Sequence, residues 1–164
     1  MPDKTWKSVI GVDLGKQTGI ACVRNGETEC ETFLLTGSFG QRYAQLYNHL
    51  VNTRPHDIDL LIYEEPPYVK NMQVYNELSG YEAVVILFCE NFRIPWHGVN
   101  NRTLKKIMCG DGRAEKEQMR ARACELAGLE VPEFKTKKAA NEAQNKYDAI
   151  LLAYYGLQSL GRSI

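Results

Sequence analysis

Residues 7–35 hold three short β-rich runs, KSVIGVDL, TGIACVR and TECETFLL, separated by Gly15, Lys16 and Gln17 and then by Asn25 and Gly26. Runs joined by such short turns can only pair antiparallel. They predict a three-stranded meander over 7–14, 18–24 and 28–35. Beyond it, helical and strand patterns alternate. Phe39, Tyr43, Leu46, Tyr47, Leu50 and Val51 recur at helical spacing before Pro55, and IDLLIYEE (58–65) is a strand stopped by Pro66 and Pro67. Val74, Leu78, Tyr81, Val85, Phe88 and Phe92 mark a long helix over 71–92, and IPWHGVN (94–100) a fifth strand. Helices are predicted at roughly 101–108, 113–127 and 141–157. Strands separated by helices need parallel crossovers, so the expected layout is a mixed five-stranded sheet with helices packed on it.

The 164 residues suit a single domain with one real core, 44% of them being apolar. Zero formal net charge argues against a surface wholly devoted to polyanions and leaves local basic patches open. The five cysteines are scattered, without zinc-ligand spacing, which implies a reducing compartment. MPDKTWKSVI has no leader pattern, and AILLAYYGLQSL is too short to span a bilayer. The expectation is a cytoplasmic protein with no membrane segment.

Three carboxylates stand at the edges of apolar elements. Strand periodicity puts Asp13 on the face of Val9 and Gly11, and Glu64 on the face of Ile58, Leu60 and Ile62. Asp148 directly precedes AILLAYY, with Asn145 and Asn141 on its side of the helix and Glu142 rotated away. Singly, each is equally well explained as a turn former, a solvated strand end or a helix-dipole partner. Together they ask for a cation, because two carboxylates about 4 Å apart repel by about 4 kcal/mol even at an effective dielectric near 20. Oxygen ligands without convergent His or Cys suit Mg²⁺ or Mn²⁺. Two such ions can activate water and stabilise the leaving oxygen in phosphodiester cleavage.

GVDLGKQTGIA, IYEEPPYVKN, LKKIMCGDGRAEKEQM and NKYDAILLAYYG, in that order and spanning 9–157, resemble the four segments of RuvC-type Holliday junction resolvases of the ribonuclease H-like superfamily. The third and fourth segments are the most specific. The resemblance implies a ribonuclease H-like α/β fold with helices on both faces of the sheet. It also implies a metal-dependent endonuclease that acts as a homodimer on four-way DNA junctions, with no small-molecule cofactor, leaving 3′-hydroxyl and 5′-phosphate ends. Asp13, Glu64 and Asp148 become ligands of two Mg²⁺ or Mn²⁺ ions. Asn145 falls where the family has an acidic residue or histidine, so one ligand there is a neutral amide. Lys105 and Lys116 match basic residues that approach the scissile phosphate. Lys106 and Arg113 extend the local basic excess, and Tyr68 and Lys70 follow Glu64 in a loop where the family often places a stacking aromatic. Tyr68 fits either that role or an anchor onto the core. Helix 71–92 suits both core packing and part of a dimer interface. Two other readings compete: a catalytically silent branched-DNA-binding module, with Asn145 as its mark, and a phosphate-binding domain of the actin and sugar-kinase type, whose turn also follows a strand-end aspartate.

Overall fold

The computed structural model describes residues 7–161. Its elements are β1 (Ser8–Asp13), β2 (Gln17–Arg24), β3 (Glu27–Leu34), α1 (Phe39–Val51), a 3₁₀ turn (Pro55–Asp57), β4 (Leu60–Glu64), α2 (Met72–Phe92), β5 (Trp96–Val99), α3 (Asn101–Cys109), α4 (Lys116–Ala127) and α5 (Lys137–Gly161). The strands form one sheet in the order β3-β2-β1-β4-β5. The first three are the expected antiparallel meander, and β4 and β5 extend β1 in parallel.

Each face of the sheet carries its own core, so helices cover both, as expected. On the Val9 and Ile62 side lie Leu104 and Met108 of α3, Met119 and Ala123 of α4, and the fully buried run Ala149–Ala153 of α5. On the Ile10 and Leu61 side lie Leu46 and Leu50 of α1 with Tyr81, Val85 and Phe88 of α2. The stripe of α2 is therefore spent largely on the sheet. Burying each large aliphatic or aromatic side chain contributes about 1.5–3 kcal/mol.

Several boundaries differ from the sequence expectation. The last helix begins at Lys137 rather than 141, because the Thr136 hydroxyl accepts the Ala139 N–H at 3.1 Å and caps a first turn too polar to show a hydrophobic period. The fourth helix begins at Lys116 rather than 113, since the Asp111 carboxylate accepts the Arg113 N–H at 2.9 Å and closes a local turn first. The fourth strand starts at Leu60 rather than Ile58, after the 3₁₀ turn that Pro55 opens. Among the described residues no helix is long and apolar enough to cross a membrane.

Two glycines let α5 lie directly on the sheet. A Cβ on Gly11 would meet the Ala149 carbonyl oxygen at 2.2 Å, and one on Gly19 the Asn145 carbonyl oxygen at 2.2 Å. Both obstacles are helix backbone, which cannot swing aside. Gly11→Ala and Gly19→Ala are each expected to cost about 3 kcal/mol or more in urea unfolding; midpoints equal to the parent's would mean that α5 does not pack this closely.

Candidate active site

The register Val9↔Leu60 through Val12↔Tyr63 brings the next residue of each strand, Asp13 and Glu64, side by side at the carboxyl ends of β1 and β4. Both point to the face covered by α5. Gly19 is the antiparallel partner of Asp13 and also the seat of Asn145, so the helix crosses beside the end of β1 and carries Asp148 to the same place. Burial pushes the Asp13 carboxyl well above the usual carboxylate range, and Asp148 and then Glu64 push it further. Burial likewise raises Glu64, to which Asp148 adds. Three acids from distant parts of the chain thus share one field, each half-buried at one end of the sheet.

Two of the three are tied to neutral amides. Asn101 Nδ2, at the start of α3, donates to both Glu64 oxygens at 3.1 and 3.2 Å. Gln144 Nε2 donates to Asp148 Oδ1 at 2.8 Å. These bonds favour the charged forms and partly offset the burial that raises each group. Cations face the same spot: Lys105 acts on both Glu64 and Asp148, and Lys116 and Arg120 act on Asp148.

The other expected residues are placed as follows. Asn145 donates its amide Nδ2 to the Gln17 carbonyl at 3.1 Å, lacing α5 to the start of β2. Lys116 Nζ donates to Asn141 Oδ1 at 3.2 Å, which joins α4 to α5. Glu142 is exposed and faces Lys138 at 3.9 Å, away from the cluster. Lys106 and Arg113 are exposed, as are Lys70 and Tyr68, the last at 87%. Tyr68 therefore does not anchor its loop onto the core.

Sequence reasoning missed Asn101, Gln144 and Arg120. Gln144 had a readable signal, one helical turn before Asp148. Asn101 had none, because its role depends on β5 lying next to β4. Arg120 lies in a stretch rich in basic residues, and nothing local shows that it is buried.

A hard divalent cation fits this donor set in kind: oxygen ligands, mutual repulsion to relieve and no imidazole or thiolate among the three. Among the described residues no three His, Cys, Asp or Glu side chains stand close enough together to hold a metal ion as they are placed.

No protein-family model matches the chain. The crossover junction endodeoxyribonucleases RuvC of two Nitratidesulfovibrio vulgaris strains, Hildenborough and DP4, are each 29% identical over 136 residues, covering 78% of this chain and 81% of the relative. The Thermus thermophilus RuvC structure superposes with a TM-score of 0.73 at 15% identity, over 93% of this chain and 96% of that one. In sequence and in fold the chain is RuvC-like. The T. thermophilus RuvC complex with Holliday junction substrate gives the same TM-score at 14% identity and the same coverage. The yeast mitochondrial Holliday junction resolvase Ydc2 gives 0.59 at 14% identity, over 90% of this RuvC-like chain and 76% of that one.

The raised carboxyl of Asp13 has a measurable consequence. An acid whose folded-state pKa exceeds its unfolded value adds stability below the unfolded value, and loses it as pH rises through the folded one. In EDTA, Asp13→Asn is therefore expected to be more stable than the parent at neutral pH. The gap should close as pH falls toward about 4, the ordinary carboxylate range. A difference that does not vary with pH would take Asp13 out of the repelling cluster.

Proposed function

We propose that this chain is a metal-dependent, structure-selective endonuclease that resolves four-way DNA junctions by paired phosphodiester hydrolysis. One observation carries the reading: Asp13, Glu64 and Asp148 meet at one end of a RuvC-like sheet with Lys105 and Lys116 facing the same point. The Holliday junction named for T. thermophilus RuvC and for Ydc2 supports branched DNA as the substrate.

In this mechanism Asp13, Glu64 and Asp148 hold two Mg²⁺ or Mn²⁺ ions, with the side-chain oxygen of Asn145 as a neutral fourth ligand. When bound, the ions supply Lewis-acid stabilisation of the phosphodiester and a water acidified enough to act as nucleophile. The work of the side chains is electrostatic. Asn101 and Gln144 hold two carboxylates ionised and oriented, and Lys105 and Lys116 set fixed positive charge where the phosphate gains negative charge in the transition state. Lys106, Arg113 and Lys70 track the backbone beside the site, and exposed Tyr68 stacks on an unpaired base. Two incisions related by twofold symmetry call for a homodimer.

Asn145 gives specific support to a second reading, a weakly active or silent junction-binding module. It brings no negative charge, and its amide is engaged with the Gln17 carbonyl.

Incubating a synthetic four-way junction with Mg²⁺ or Mn²⁺ separates the two. Cleavage is expected, with nicks in two opposed strands and little cutting of linear duplex; junction binding without cleavage would establish the silent module instead. Asp13→Asn and Glu64→Gln are expected to lower cleavage at least about 100-fold while retaining junction binding. Lys116→Gln should lose about 10-fold or more. Parental rates in the carboxylate variants would remove those residues from the chemistry.

A further inference from the structure

Arg120, on α4, is 6% exposed and makes no ion pair among the described residues. Its guanidinium lies over the Phe134 ring at 4.7 Å and the Tyr147 ring at 5.8 Å. Its Nη2 donates to Gln144 Oε1 at 3.0 Å and to the Ala140 carbonyl at 3.4 Å, and its Nε has no hydrogen-bond partner. A buried cation met only by neutral acceptors and ring faces is costly unless an anion compensates it. Here the anion is one residue away, because Gln144 donates its Nε2 to Asp148 Oδ1 at 2.8 Å.

The direction of this chain of bonds is forced. A guanidinium has donors and no acceptor, so it fixes which end of the Gln144 amide faces it. The oxygen turns to Arg120, and the NH₂ must turn to Asp148. Gln144 is itself 3% exposed and sits one helical turn before Asp148, so neither end of its amide has water as an alternative. Oδ1 is thus held by the protein, and Asp148 shares its field with Asp13, Glu64 and the cations Lys105 and Lys116.

We infer that Arg120 and Gln144 are positioning residues that fix the rotamer of Asp148, so that its free oxygen is presented as a cation ligand without reorganisation. The inference rests on the proposed metal-binding role of Asp148 and assigns the work of orienting it. Neither residue touches the cation or DNA in this scheme. Arg120 orients Gln144, and Gln144 orients the carboxylate.

The test is Mn²⁺ binding by the full chain without DNA, followed by calorimetry and by the loss of free Mn²⁺ signal in electron paramagnetic resonance. Thermal melts and junction binding in EDTA are recorded alongside. Gln144→Met and Arg120→Met are each expected to weaken Mn²⁺ binding 10- to 100-fold, the range typical of partners that orient metal ligands, with junction binding unchanged. Because the two residues act in series, the double variant should bind no more weakly than the worse single one. Arg120→Lys keeps the buried charge and a donor, and should recover most of the affinity. If Gln144→Met does not melt cooperatively, Gln144→Asn carries the same expectation, since its shorter amide cannot span both partners. Asp148→Asn is the control. If it weakens Mn²⁺ binding while the Gln144 variants stay within twofold of the parent, or if the two losses add, the positioning role is overturned and the metal site stands. If Asp148→Asn leaves Mn²⁺ binding intact, the metal reading fails and this inference falls with it.

Discussion

The contact on which the rest depends is backbone against backbone: α5 lying on β1 and β2 with only Gly11 and Gly19 between. Strand ends alone bring Asp13 and Glu64 together, because β1 and β4 are parallel neighbours in register. Asp148 joins them only because the helix comes close enough to place its first buried turn over the carboxyl end of β1. Side chains of ordinary size at the two glycine positions would lift the helix off the sheet. The third carboxylate would then move away from the other two.

That convergence sets the electrostatics. Removing three acids from water and crowding them raises each above its usual range, and the surrounding groups are arranged against this rise. Amides from α3 and α5 donate to two of them, and Lys105, Lys116 and Arg120 add positive potential. The arrangement keeps the acids ionisable while leaving repulsion for a divalent ion to relieve. Under the proposed function two of these cations, Lys105 and Lys116, would also face the phosphate.

The layout of the chain also explains how α4, whose first residue Lys116 faces the cluster, is tied to the helix that carries Asp148. Lys116 reaches Asn141, and Arg120 reaches Ala140 and Gln144, so the first two turns of α4 are laced to the first turns of α5. Thr136 caps α5 four residues earlier than hydrophobic periodicity indicates, and the added turn ends on Ala140, whose carbonyl accepts from Arg120. A polar helix start thereby connects the basic segment to the carboxylate cluster.

Much of this was legible from residues alone. Alternation along 7–14 and 58–65 assigned Asp13 and Glu64 to the faces that α5 covers, and short turns dictated the antiparallel meander, because both are local steric rules. The apolar run after Asp148 identified its helix as buried. What no local pattern could supply was who stands opposite whom. Asn101 binds Glu64 because β5 adds beside β4, and Arg120 is buried because Phe134 and Tyr147 close over it. Sequence determined which carboxylates end buried elements, since period and polarity are written along the chain; only tertiary packing decided that they meet and which groups hold them, since every such contact except that of Gln144 with Asp148, one helical turn apart, joins residues 24 to 135 positions apart.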